Sequence, residues 1–394
     1  MVEYQSPACL GGERRCELDP EERIFKALGG EKTDRVPTFS LIGDPNVANQ
    51  VLGREPGKLL EFLKSDRGMR YVDRRAHALS RYFDPFMFLL YHTGIRVNHL
   101  MGFDSLWVGY WRFKIRNHAE IEDMFGRVFD LVDDGYGNVY FMYREGLIRS
   151  PEEWRDWPRP DIAGYALAGL RIYRLLNAIW RKKIALIPFV GPGLWENSWQ
   201  PMGLPTFISL LKRDPAFVRE VIGYFTALSV ACVDAYGKSG ARIMSYGDDL
   251  AYKAGPMLSP EMFEEFYGDG FRQIAATAHR HGARIFIHCC GNTNELVEKF
   301  VEWGFDGAHA FEPTAMNDLA EARRKVGDRL CLIGNIDVTH TLVDGTREEV
   351  EQAVRKAIED SSGGGFILAP THSHASMNVE NIRWMIEAGH RYSG

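Results

Sequence analysis

The sequence predicts an α/β fold, a TIM (β/α)8 barrel with an N-terminal helical extension and a hairpin insertion. Three observations lead there. Short β-rich runs alternate with stretches of helical periodicity, the pattern of βα units laid around a parallel sheet. Eight such runs can be counted, which is the number that closes a barrel of this kind. The chain has 394 residues, 45% of them hydrophobic, enough to bury the core that one barrel with insertions requires.

Residues 1–33 read as the N-terminal extension and 34–394 as the barrel, a single domain over 1–394 with an insertion near 110–160. The predicted strands are Arg35 to Leu41, Asp104 to Val108, Ile184 to Val190, Arg242 to Tyr246, Arg284 to His288, Gly307 to Phe311, Leu330 to Ile333 and Phe366 to Ala369. Predicted helices are clearest in the C-terminal half: Ser259 to Arg280, Glu295 to Trp303, Met316 to Lys325, Arg347 to Glu359 and Val379 to Ala388. Thr346 with Glu349 three residues on is a capping-box start, and Ser259-Pro260 with Glu261 is a similar one. Residues 42–101 read as mainly helical. Val128 to Met142 reads as a hairpin around Asp133-Asp134-Gly135-Tyr136-Gly137-Asn138, and Pro151 to Pro160 as a surface connection.

Composition narrows the partners. The formal charge of -6 arises from interspersed acids and bases, so no electrostatic footprint points to nucleic acid or an anionic membrane. A small molecule or a protein partner fits better, a homodimer included. No run approaches the roughly 20 apolar residues of a bilayer span, and Met1 to Glu22 has no apolar signal core, so the chain reads as cytoplasmic. Cys9, Cys16, Cys232, Cys289, Cys290 and Cys331 are too few and too uneven for a disulfide scaffold.

In a barrel, the strand C-termini share one face, where active sites of this architecture lie. Ile285-Phe286-Ile287-His288-Cys289-Cys290-Gly291-Asn292 runs from a strand into that face. Strand alternation sends His288 and Cys290 to the same side, so an imidazole and a thiolate can converge on a soft or borderline cation. His372, in Pro370-Thr371-His372-Ser373-His374, offers a third ligand from the last strand. The alternative for His288 and Cys290 is a half-buried strand end with an inert thiol. Cys289 and Cys331 are expected to be core residues, Cys289 toward the helix layer.

Tyr246-Gly247-Asp248-Asp249-Leu250 ends the fourth predicted strand. Adjacent carboxylates there can bind a cation, orient a histidine or exchange a proton, or simply cap a loop. Asp249 is the candidate fourth ligand or proton-handling group, with His372 as its catalytic companion. Asp248, Tyr246, Glu312, Asn335 and Trp195 are candidate substrate contacts, because polar groups at strand ends need partners. Trp195, in Gly191-Pro192-Gly193-Leu194-Trp195-Glu196, could equally be packing, and Asp337 is expected to brace its own loop. Gly363-Gly364-Gly365 precedes its strand and reads as a turn, not a phosphate loop.

Arg35-Val36-Pro37 after a short basic helix, Gly334-Asn335-Ile336-Asp337, and Gly364-Gly365-Phe366-Ile367-Leu368-Ala369-Pro370 with Glu380-Asn381-Ile382 resemble the uroporphyrinogen decarboxylase superfamily. Within it, His288-Cys289-Cys290-Gly291 is similar to the zinc-binding His-x-Cys of methyltransferases that work with methyl-corrinoid proteins. The resemblance implies a TIM barrel, a zinc ion held by His288, Cys290 and His372, and a corrinoid carried by a separate partner protein. Two departures stand out. True decarboxylases carry an arginine-rich segment after the first strand, where this chain reads Phe39-Ser40-Leu41-Ile42-Gly43-Asp44-Pro45; and thiol-methylating relatives usually have a cysteine where His372 stands. The expected function is zinc-activated methyl transfer between a small methylated substrate or thiol and a corrinoid. Alternatives are a metal-free decarboxylase using Asp249 and His372, and a non-catalytic small-molecule binding protein.

Overall fold

In the computed structural model, residues 17–392 are described, apart from 42, 55–61, 63–64, 134–138, 192 and 375. Residues 1–16 of the N-terminal extension, with Cys9 and Cys16, and the Asp134 to Asn138 turn therefore lie outside the described residues. The strands are β1 (Phe39–Ser40), β2 (Ser105–Val108), β3 (Phe113–Asn117), β4 (Glu120–Asp123), β5 (Arg127–Asp133), β6 (Val139–Gly146), β7 (Ala185–Val190), β8 (Ile243–Gly247), β9 (Ala251–Tyr252), β10 (Gly255–Pro256), β11 (Arg284–His288), β12 (Gly307–Ala310), β13 (Cys331–Ile336) and β14 (Phe366–Pro370).

Eight of them form one sheet in the order β1-β2-β7-β8-β11-β12-β13-β14, with parallel pairing throughout. A parallel bridge between Thr38 and Leu368 and a hydrogen bond from the Leu368 amide to the Pro37 carbonyl at 2.9 Å join the last strand to the first. The fold is a TIM barrel, as the sequence predicts. Each predicted strand is present; the first is cut to Phe39–Ser40, because only that stretch pairs with β2.

The barrel has two apolar compartments. Phe39, Ile187, Ile243, Phe286, Cys331, Ile333 and Ile367 fill the interior, closed from below by Ile24, Ala27 and Leu28 of the helix Pro20–Leu28. That helix is pinned by a buried ion cluster in which Arg23 bonds Asp104 at 2.6 Å and Asp34 at 2.7 Å, and Arg35 bonds Asp104 at 2.7 Å. Gly365 is needed beside it, since a side chain there would collide with the Ala27 carbonyl, and the triple glycine is thus a turn. The larger compartment lies between strands and helices. The helix Pro215–Lys238 belongs to it: its 24 residues have a mean hydropathy of 1.5 over the best window, more apolar than the sequence reading allowed. Phe217, Val221, Phe225, Leu228 and Val233 are buried in that core, so the apolar length packs the barrel.

Two expectations are extended by the structure. The predicted hairpin forms as β5 and β6, and β3 and β4 enlarge it to a four-stranded antiparallel sheet in the order β3-β4-β5-β6. The stretch Pro151 to Pro160 contains the helix Pro151–Asp156, capped by Ser150, and Trp154 is fully buried against Phe225 and Tyr224. The stretch runs over the surface as predicted, and Trp154 anchors it to the core. Asp337 braces its own loop as expected, accepting from the amides of Thr339, His340 and Thr341.

Candidate metal centre

β11 delivers His288 at its C-terminal end, with Phe286 two residues below in the barrel interior. The same alternation carries Cys290 to that side, and the His288 Nε2 to Cys290 Sγ separation is 3.3 Å. His372 follows β14 and its ring centroid lies 6.2 Å from that of His288. One ligand atom each from His288, Cys290 and His372 lies within 4.8 Å of the others. Around one zinc ion with bonds of about 2.0–2.3 Å, such atoms sit roughly 3.5 Å apart. The first pair already meets that spacing. His372 is exposed and is the side chain with room to close the remainder. An imidazole, a thiol and a second imidazole suit a borderline cation, so the residues fit zinc.

A histidine not foreseen from the sequence completes the arrangement. His309, on β12 beside β11, is 1% exposed; its Nδ1 faces His288 Nδ1 at 2.6 Å and its Nε2 faces the Pro370 carbonyl at 3.0 Å. A carbonyl only accepts, so His309 Nε2 carries the proton. Burial, together with the neighbouring imidazoles, lowers the pKa of His309, and that of His288 to about 3, so both rings are neutral. His309 Nδ1 is then an acceptor, His288 Nδ1 is the donor, and His288 Nε2 keeps its lone pair toward Cys290. His372 Nδ1 lies 2.8 Å from the Ser373 carbonyl, which can only accept, so Nε2 is the nitrogen left to serve as its ligand atom. The signal for His309 was available as a lone polar residue at an inward position of Gly307 to Phe311.

The acids are distributed differently from expectation. Asp249 Oδ1 accepts from the Cys290 amide at 2.9 Å, which braces the thiol-bearing loop, and the three atoms that converge within 4.8 Å come from His288, Cys290 and His372. Burial first, then Asp249 and Glu312, raise the pKa of the Cys290 thiol, so without a cation it stays protonated. Glu312 is half-buried, with Oε1 3.4 Å from the Gly291 amide. Asn335 ends β13 half-buried, in register with Ala369.

Asp248, Tyr246 and Trp195 are not exposed to a pocket. Asp248 is 1% exposed and accepts from the Trp195 amide at 2.9 Å, the Glu196 amide at 3.1 Å and the Tyr246 hydroxyl at 3.2 Å. It caps the helix Leu194–Trp199 from another strand, and Gly193 permits the approach, since a side chain there would overlap the carboxyl group. Burial still pushes Asp248 up to about 7. Trp195 packs against Phe207, Phe263 and Tyr267, and Tyr246 against Phe271 and Phe305; both are fully buried. Cys289 is buried toward the helix layer and Cys331 inside the barrel, as expected.

Beside the centre is a cavity of about 450 Å³ between the barrel mouth, the helix Phe83–Met101 and the inserted sheet. Trp107 of β2 lines it, and the same ring packs edge-on to His288 at 5.2 Å. Among the described residues, the charged and amide side chains of the wall are Arg127, Glu196 and Gln200. Gln200 Nε2 donates to Glu196 at 2.9 Å, and Arg127 donates to Gln200 at 2.9 Å and to Asp123 at 2.6 Å.

The sequence profile described as "Uroporphyrinogen decarboxylase (URO-D)" matches residues 143–392. The chain belongs to the uroporphyrinogen decarboxylase family. Its relatives within the family carry more than one chemistry. It is 28% identical over 183 residues to "Methylcobamide:CoM methyltransferase MtaA" of Methanosarcina barkeri, covering 46% of this chain and 51% of that protein. It is 27% identical over 190 residues to "Uroporphyrinogen decarboxylase" of Coxiella burnetii, covering 47% of this chain and 50% of that one. The chain thus spans about half the length of the curated relatives it matches. A solved "methyltransferase from Methanosarcina mazei" superposes with a TM-score of 0.65 at 16% identity, over 95% of this chain and 99% of that one, which shows the shared barrel.

Proposed function

We propose that this member of the uroporphyrinogen decarboxylase family is a corrinoid-protein-linked methyltransferase. It moves a methyl group between a small methylated substrate or thiol and a corrinoid carried by a separate protein. The observation that carries the reading is the convergence of His288, Cys290 and His372 within 4.8 Å at the active face; similarity to the methylcobamide:CoM methyltransferase supports it. Zinc held by these residues would supply Lewis acidity, ionising a thiol or polarising the atom from which the methyl group departs. His309 holds His288 in the tautomer that presents Nε2, and Asp249 holds the Cys290 backbone. The ring-lined cavity positions the substrate beside His288 and excludes water.

Decarboxylation is the weaker reading. Among the described residues lining the cavity, Arg127 is the one cation, and Asp123 already pairs with it, so a multiply carboxylated substrate finds no counter-charge. Metal analysis of purified protein tests the proposal: about one zinc per chain is expected, with metal and methyl transfer both lost when His288→Ala is combined with Cys290→Ala. A metal-free protein, or a double variant that still transfers methyl groups, refutes it.

A further inference from the structure

We infer that the methylated substrate is an uncharged aryl methyl ether, a methoxylated single-ring arene seated in the cavity beside His288. The chemistry rests on the methyltransferase reading; the binding does not. Rings stand on both sides of the cavity: Trp107 and Trp111 on the barrel side, Phe113, Phe129, Phe141 and Tyr143 on the inserted sheet. About 450 Å³ of space lies within the range of small-molecule sites. Aromatic surroundings of this kind favour a flat aromatic guest through stacked and edge-on contacts.

Charge separates the competing substrate classes. An anionic thiol needs a cation, and the charge of Arg127 is already paired, with Nε and Nη2 on Asp123 at 2.6 Å and Nη1 on Gln200 at 2.9 Å. A methylated ammonium can rest on aromatic faces but gains most where an anion stands beside them. Among the described residues Glu196 is the carboxyl group on the wall, and burial with Asp249 and Asp248 nearby pushes it up to about 8. At neutral pH this end of the cavity therefore offers a hydrogen-bonding acid and the Gln200 amide, suited to a ring hydroxyl or ether oxygen. Trp107, shared between the cavity and the His288 ring, places such a guest next to the ligand cluster. In the transfer, the oxygen–methyl bond breaks and the oxygen keeps the bond pair, taking one proton from solvent. The methyl carbon bonds to the cobalt of a reduced corrinoid, which supplies both electrons of the new bond.

Calorimetric titration of the full chain in chelator separates this inference from the metal reading, because binding in the cavity requires neither zinc nor corrinoid. The probes are 2-methoxyphenol, 2-mercaptoethanesulfonate and phenyltrimethylammonium. The expected result is that 2-methoxyphenol binds at least tenfold more tightly than either ion. Trp111→Ala and Phe141→Ala should each weaken it severalfold to tenfold. Phe141 is 49% exposed at the rim, so its truncation leaves the fold intact even if Trp111→Ala does not. Tighter binding of the thiol or the ammonium, no binding of 2-methoxyphenol, or binding indifferent to Phe141→Ala overturns the inference.

Discussion

Replacing His309 by phenylalanine isolates the consequence of the imidazole chain. His309 Nδ1 is the acceptor for His288 Nδ1 at 2.6 Å, and the Pro370 carbonyl fixes the direction of the chain through His309 Nε2. Phenylalanine keeps the ring beside Phe39, 5.5 Å away in the native protein, but removes both hydrogen bonds. His288 then has two options. It can keep Nδ1–H as a buried donor without a partner, at a cost of about 1–3 kcal/mol, or move the proton to Nε2, which abolishes the lone pair facing Cys290. Either route lowers metal affinity, by about 10–100-fold for the loss of such an outer hydrogen bond, equivalent to about 1.4–2.7 kcal/mol. Competition against a chromophoric chelator measures the affinity, and imidazole 15N shifts in metal-free protein report the tautomer of His288. His309→Gln, whose side-chain oxygen can accept from Nδ1–H, should recover part of the loss. The reasoning fails if native His288 carries its proton on Nε2, or if His309→Phe binds zinc within twofold of the native protein.

Two further outcomes follow from the acids and the buried tryptophan. Glu196 rises from 4.5 to about 8 in the fold, so the folded state holds a proton that the unfolded chain releases. Its contribution is complete below about pH 4.5, declines as pH rises, and is lost above about 8, with a slope of at most about 1.4 kcal/mol per pH unit. Denaturant unfolding from pH 5 to 9 should show this decline in the native protein and less of it in Glu196→Gln; identical slopes refute it. Trp195→Ala, which empties a fully buried site among Phe207, Phe263 and Tyr267, should cost about 3–5 kcal/mol of stability while leaving zinc affinity unchanged. A selective loss of ligand binding without loss of stability would restore Trp195 to the substrate wall.

The barrel was legible because its information is local. Each βα unit announces itself within a few tens of residues through a period of two followed by one near 3.6, and the capping box at Thr346 and Glu349 forms as its spacing predicts. His288 and Cys290 were legible for the same reason, being two residues apart on one strand end. What stayed hidden depends on residues far apart in sequence. Asp248 looks like a pocket acid until the helix Leu194–Trp199, some 50 residues earlier, is seen to place two amides on it. Trp195 looks like a pocket wall until the helix Pro260–Arg280 is seen to cover it with Phe263 and Tyr267. The cavity was missed because its rings come from β2, β3, β5 and β6, and a single strand of an open-faced sheet cannot show which face will be roofed. His309 is the sharpest case. One histidine inside an apolar strand has no meaning by itself, but parallel pairing sets it level with His288, and a shared register turns two isolated imidazoles into one directional hydrogen-bond chain. The ligands lie in the strand ends; the orientation that makes one of them a ligand lies in the sheet.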